Sequence, residues 1–160
     1  RHLSTVFLYR PKDKKIIWLK SGPWLGQHDI DYLGEGVFSI YGNNNYLNMP
    51  GYKINRINPN AKNATKLYFF DSKNNVVTTP FEKPMNSIEF NRNSSGTQRL
   101  IDTNKLFLDI DYSLYFMDKE ELIWKFDKKV GKENKSFFRW STYFTNQEMN
   151  LDWIDKTKCK

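Results

Sequence analysis

Cysteine and histidine are scarce in this sequence, and their scarcity excludes several kinds of site. Cys159 is the only cysteine among 160 residues, so the chain cannot form an internal disulfide or a cysteine-based metal cluster. Histidine occurs twice, as His2 and His28, and the spacing of these residues to nearby aspartates matches no particular metal geometry. We therefore predict no metal and no cofactor.

Common catalytic and membrane signatures are also absent from the sequence. It contains no Walker-type phosphate loop, no Gly-x-Ser-x-Gly elbow and no His-Glu-x-x-His zinc helix. It has no long apolar run, which predicts no transmembrane segment. No signal peptide is recognisable, and the chain starts at Arg1 within a strand-and-turn pattern, so we expect further residues upstream.

What the sequence does contain is aromatic and basic. Aromatic residues make up 16% and hydrophobic residues 39%, enough for a single domain over 1–160 with a sizeable core. The net charge of +7 is spread along the chain and fits an ordinary solvated surface or one that attracts anions. Basic charge with aromatics also suits single-stranded nucleic acid, although these aromatics occupy strand positions expected to be buried, which argues against that partner.

Short alternating apolar runs separated by turn residues predict an all-β protein. No amphipathic helix is expected before a short helical turn at 147–154. The predicted strands cover 5–9, 16–20, 30–33, 37–41, 52–57, 66–70, 75–79, 87–90, 98–101, 106–110, 114–117 and 122–126.

A repeated hairpin pattern predicts a β-propeller. An apolar pair, an aspartate turn and a second apolar pair occur in FLYRPKDKKIIWLK, LYFFDSKNNVVTT and LYFMDKEELIWKF. Four-stranded propeller blades span roughly 40 to 50 residues, so the chain corresponds to about three blades of a partial propeller. Residues 127–160 are then a closing strand, at 137–144, and a tail.

One stretch, IIWLKSGPWLGQHDIDYLGEGVFSIYGNN, brings an imidazole, a carboxylate and large aromatics close together in sequence. His28 is either a functional imidazole or a structural histidine that bonds a loop carbonyl. Asp29 caps the turn, orients His28 or acts as a base. Trp24, in a rigid Gly-Pro-Trp corner, is a candidate to line a channel mouth.

This stretch resembles the segment of arylsulfotransferase-type proteins in which a Trp-ended strand leads to a Gln-His pair, a hairpin and a Phe-Asp-Asn-like loop. SSGTQRLIDTNKLFLDIDYSLYFMDKEELIWKF resembles the blade that follows, and the likeness covers 1–126. It implies the C-terminal portion of a six-bladed β-propeller that is secreted or periplasmic. It also implies sulfuryl transfer from an aryl sulfate to a phenol at the propeller channel, with upstream blades supplied by missing sequence.

The resemblance implies roles for particular residues. His28 falls on the Gln-His position that binds the sulfuryl oxygens, and Asp29 accompanies it as the second catalytic residue. The implied substrate-binding residues are Gln27, Trp24, Tyr41, Asn43 and Arg99, with Arg99 open to a second interpretation as a strand-end cation.

Two departures from the family pattern leave a second functional class open. No arginine follows the Tyr-Gly-Asn-Asn-Asn loop until Arg56, and no histidine follows His28, where the family has its nucleophile. The alternative function is therefore a non-catalytic propeller that binds a ligand or a protein.

Overall fold

The all-β prediction is confirmed by the structure, a computed structural model. It describes residues 3–44, 65–88, 96–110, 113–127, 129–130, 134–135 and 143. The predicted strand at 52–57, the helical turn at 147–154 and nearly all of the closing strand at 137–144 lie outside these residues.

The described chain forms antiparallel sheets from strands that are consecutive in sequence. The first hairpin is β1 (Thr5–Arg10) and β2 (Lys15–Ser21). The second sheet contains β3 (His28–Gly34), β4 (Val37–Gly42), β5 (Lys66–Asp71) and β6 (Val76–Thr78), in that order. The third sheet contains β7 (Gly96–Asp102), β8 (Lys105–Ile110), β9 (Ser113–Asp118) and β10 (Leu122–Asp127), also in order. A short hairpin of β11 (Lys129–Val130) and β12 (Asn134–Lys135) follows.

Two local predictions are wrong. A short helix, α1 (Glu82–Met85), lies before the C-terminal region, and residues 87 and 88 of the strand predicted at 87–90 form a turn and a bend after it. The backbone N–H groups of Ser87 and Ile88 donate to the Pro84 and Met85 carbonyls at 3.1 and 3.2 Å, so these residues continue the turn and do not form a strand ladder. Phe81 and Met85, four residues apart, are both buried and anchor this turn of helix.

The two central strands of the second sheet, β4 and β5, are buried on both faces because they alternate two sets of apolar side chains. One face packs against the first hairpin, in a cluster of Val6, Trp18, Trp24, Phe38, Ile40, Tyr68 and Phe70. The other face packs against α1 and the third sheet, in a cluster of Tyr41, Leu67, Phe81, Met85, Ile88, Leu106, Leu108, Ile110, Tyr115 and Met117. The three layers are therefore stacked face to face.

The two ends of this stack leave apolar side chains exposed. Phe7 and Leu19 pair across the first hairpin and both are 57% exposed. Trp124 on β10 is 40% exposed, whereas Trp18 on β2 packs edge-on against Phe38 and Phe70 of the second sheet. Sheets of two, four and four strands with uncovered outer faces are the architecture of a partial propeller.

The two-sided packing gives a stability prediction for a matched pair of leucines. Leu106→Ala removes a side chain that is 0% exposed between the second and third sheets, and should lower the free energy of unfolding by about 2–5 kcal/mol. Leu19→Ala removes a leucine that is 57% exposed and should cost far less. Urea denaturation of both variants measures the difference, and equal losses would contradict the layer assignment.

Candidate functional site

The corner between β2 and β3 fixes where the candidate site begins. Gly22 has a φ of +44°, which glycine adopts without steric cost, and its N–H donates to the Ser4 carbonyl at 2.8 Å. The Gly22–Pro23 peptide bond is cis, and Trp24 follows it. The indole is completely buried, with ring centroids 5.9 Å from Tyr68 and 6.0 Å from Phe70.

Asn44 ties this corner to the end of β4. Its side-chain oxygen accepts from the Leu25 N–H at 3.0 Å, and its own N–H donates to the Leu25 carbonyl at 2.8 Å. Its side-chain nitrogen donates to the Tyr68 hydroxyl at 3.0 Å. The φ of Asn44 is +51°, a left-handed conformation that asparagine tolerates better than most residues. Asn44 thus fixes the corner through both its side chain and its backbone N–H.

Gly42 allows the close approach that this arrangement requires. A Cβ at this position would lie 2.8 Å from a ring carbon of Tyr68 and 3.2 Å from the Asn44 side-chain oxygen. Any side chain here would push the Tyr68 ring away and disturb its bond with Asn44. The glycine in the Tyr-Gly-Asn-Asn sequence is therefore explained by packing.

His28 begins β3 and lies opposite Tyr41 of β4. The two rings contact each other with centroids 4.8 Å apart and planes tilted by 39°. The Nε2 of His28 is 3.2 Å from the side-chain oxygen of Asn43, and because an amide oxygen only accepts, this contact favours a proton on Nε2. The imidazole is half-buried, whereas Tyr41 and Asn43 are buried, so its orientation is fixed by residues of the fold.

Asp29 lies at an irregularity in the pairing of β3 with β4, between His28 and Ile30. Its φ is +54°, so the regular alternation of side chains is interrupted at this residue. One carboxylate oxygen accepts from the Gln98 N–H at 2.5 Å, and its backbone carbonyl accepts from the Gln98 side-chain nitrogen at 2.6 Å. The residue next to His28 is therefore held by the third sheet.

Two carboxyl groups on β3 have altered acidity. Burial raises the pKa of Asp29, and the hydrogen bond from the Gln98 N–H opposes this only in part. Burial also raises the pKa of Asp31, and the charge of Asp29 raises it further. These two carboxyls hold a proton more readily than ordinary aspartates do.

Comparison with known proteins decides the family. Residues 1–128 match the family model described as Arylsulfotransferase (ASST). The chain belongs to the arylsulfotransferase family. No curated protein sequence and no solved structure matches this chain.

In this arylsulfotransferase family member, some of the predicted site residues come together. His28 contacts Tyr41 and Asn43, and Asp29 directly follows His28 in the sequence. Gln27 is buried and its side-chain nitrogen donates to the Thr5 carbonyl at 2.8 Å, so it links the corner to β1.

The remaining two predicted residues lie elsewhere. Trp24 has the contacts of a core residue on the face of the second sheet that packs against the first hairpin. Arg99 lies on the opposite face of β7 from the inward-facing Gln98, because side chains alternate along a strand. Its guanidinium donates to the Tyr143 carbonyl. Tyr143 stacks on Phe116 and contacts Phe107 with tilted ring planes, on the outer face of the third sheet. A substrate-binding role for Trp24 and Arg99 stays a prediction without support from these contacts.

Sequence reasoning missed two residues that organise the site, Asn44 and Gln98. The signal for Gln98 was its position two residues before Leu100, which places it on the face of β7 that packs on the core, where a polar side chain needs a partner. Asn44 is one of three consecutive asparagines, and no local pattern distinguishes it from its neighbours.

Neither a metal cluster nor a membrane helix is found in the part of the chain that the structure describes. No three histidine, cysteine, aspartate or glutamate side chains there are grouped to hold a metal ion. The helices in those residues are too short to span a bilayer.

The raised pKa of Asp29 predicts an unusual pH dependence of stability. Its stabilising contribution should be complete below the ordinary aspartate pKa and be lost as the pH rises through the raised folded-state pKa, because the fold disfavours the ionised form. Asp29→Asn does not titrate, so wild-type stability relative to this variant should fall as the pH rises through that interval. Urea denaturation at a series of pH values measures this trend.

Asp71 provides the matched control. Hydrogen bonds from the Asn74 side chain and backbone lower its pKa. Its contribution is therefore present above the ordinary aspartate pKa and is lost on acidification. Asp71→Asn should show the opposite trend, and the same trend for both variants would contradict the assignment for Asp29.

Proposed function

We propose that this protein transfers a sulfuryl group from an aryl sulfate to a phenolic acceptor, with His28 in the site. The observation that carries this proposal is the contact of His28 with Asn43 and Tyr41 in a chain of the arylsulfotransferase family. The family supplies the reaction class and the aryl substrates. The contacts supply a histidine held in one orientation.

His28 has the chemistry to stabilise the transferred group. A sulfuryl group in transfer carries negative charge on its oxygens, and a positively charged imidazolium beside it lowers the energy of the transition state. Because Asn43 and Tyr41 fix the ring, little reorganisation is needed as the charge develops. The overall charge of +7 also favours the approach of an anionic sulfate ester.

Asp29 is the proposed proton carrier. The acceptor's phenolic oxygen forms a new bond to sulfur while the bond from sulfur to the donor's aryl oxygen breaks. The acceptor's proton passes to the Asp29 carboxylate and then to the departing aryl oxygen, so no proton is gained or lost. A carboxyl with a raised pKa suits this role because it is a stronger base than an ordinary aspartate.

A ligand-binding propeller is the second candidate function. It is favoured by the absence of any histidine after His28 in these 160 residues, which leaves this segment without a later histidine nucleophile. The same contacts would then hold an aryl sulfate without transferring its sulfuryl group.

The proposal predicts the effect of removing the imidazole. His28→Ala should lower kcat/KM for transfer from 4-nitrophenyl sulfate to phenol by about 100- to 1000-fold, the usual result of losing one group that stabilises a developing negative charge. Release of 4-nitrophenol that requires phenol, together with phenyl sulfate detected by mass spectrometry, measures the reaction.

Lys73→Ala is the control, because this exposed lysine pairs with Glu35 at the hairpin turns of the second sheet and should leave the rate unchanged. Full activity in a folded His28→Ala variant would refute the role of the imidazole. A folded wild-type protein that binds 4-nitrophenyl sulfate but transfers nothing would refute the enzyme and favour the binding propeller.

A further inference from the structure

We propose that Gln98 is a positioning residue for His28 and acts through Asp29. It belongs to the third sheet, whereas both residues that it positions belong to the second. This inference deepens the proposed function and rests on it for its meaning in catalysis. The geometric part, that Gln98 controls the state of the imidazole, can be tested without any measurement of activity.

Gln98 makes three hydrogen bonds to the second sheet. Its backbone N–H donates to the Asp29 carboxylate at 2.5 Å, and its side-chain nitrogen donates to the Asp29 carbonyl at 2.6 Å. The same nitrogen lies 3.1 Å from the Ser39 hydroxyl oxygen. Gln98 therefore bonds to both the side chain and the backbone of Asp29.

The orientation of the Gln98 amide is determined by these partners. A backbone carbonyl only accepts, so the nitrogen end of the amide must face Asp29. The side chain is 7% exposed, and its oxygen has no donor among the residues that the structure describes. A buried amide with an unsatisfied oxygen lowers the stability of the fold. We therefore attribute the presence of Gln98 to its bonds with Asp29 and Ser39.

The position of the contact explains why it should influence His28. Strands β3 and β7 are the corresponding edge strands of their two sheets, and Asp29 occupies the irregular, left-handed position directly after His28. A non-glycine residue with positive φ persists only where its surroundings hold it. Without the Gln98 side chain, the Asp29 carbonyl loses its donor, and the backbone that sets the direction of the imidazole can relax.

A role limited to joining the two layers is the competing explanation. The chain offers a comparison, because Lys83, in α1, pairs with Glu120, in the β9–β10 turn, at 2.7 Å. This pair also links α1 to the third sheet, but both of its side chains are exposed, at 71% and 76%. A residue that merely joins layers should behave like Lys83, whereas a positioning residue should alter His28.

The test is the tautomer and titration of His28 in the full ¹⁵N-labelled chain. Long-range ¹H–¹⁵N correlation spectra distinguish a proton on Nε2 from one on Nδ1, and a His28→Gln spectrum assigns the signals. The wild type should show mainly the Nε2 proton, directed to Asn43. Gln98→Met, similar in size but unable to donate, should shift the tautomer ratio and the titration midpoint of His28, whereas Lys83→Met should change neither.

The same variants separate the inference from the proposed function. Gln98→Met should lower kcat about 10- to 100-fold with little change in KM, the usual effect of losing a residue that orients a catalytic group. If Gln98→Met does not fold, Gln98→Leu replaces it, because leucine also lacks a donor for the Asp29 carbonyl. An unchanged His28 spectrum in a folded Gln98 variant would overturn the inference. A shifted spectrum in a protein with no transfer activity would leave the positioning intact and overturn the proposed function.

Discussion

The burial of β4 and β5, the central strands of the second sheet, on both faces is the constraint on which the rest of this structure depends. Adjacent residues of β4 serve opposite layers, with Ile40 facing the first hairpin and Tyr41 facing the third sheet. Because side chains alternate along a strand, a shift of one residue would exchange these two sets and place each against the wrong layer. The register that fixes the core therefore also fixes Tyr41, and with it the ring against which His28 packs.

The site arises where this regular packing ends. The chain leaves β4 through Gly42, which lies close to the Tyr68 ring. The two buried asparagines that follow make different contacts: Asn43 with the His28 imidazole and Asn44 with the Leu25 backbone. On β3, the irregular position of Asp29 interrupts the alternation, so that His28 contacts Tyr41 of β4 while Asp29, the next residue, bonds to Gln98 of the third sheet. Departures from strand geometry near active sites commonly re-aim side chains in this way.

The proposed reaction acts on an anion, and the acidity of this region suits it. Burial raises the pKa of Asp29, so its carboxylate is a stronger base than that of an ordinary aspartate. The neighbouring Asp31 is shifted in the same direction, partly by Asp29 itself. The second sheet thus supplies an imidazole and a weakly acidic carboxyl, and the third sheet supplies the amide that bonds to the Asp29 backbone.

The sequence by itself determined the strand content, the hairpins with their aspartate turns and the family, because alternation, turn residues and motifs are local signals. It also singled out His28, Asp29, Tyr41 and Asn43 as candidate site residues, and in the structure the pairing of β3 with β4 places His28 against Tyr41. Only the tertiary structure decided that Trp24 is a core residue, that Arg99 faces away from Gln98, and that Gln98 holds Asp29. The contact between residues 29 and 98 joins two sheets and depends on how those sheets stack. No local sequence pattern predicts such a contact.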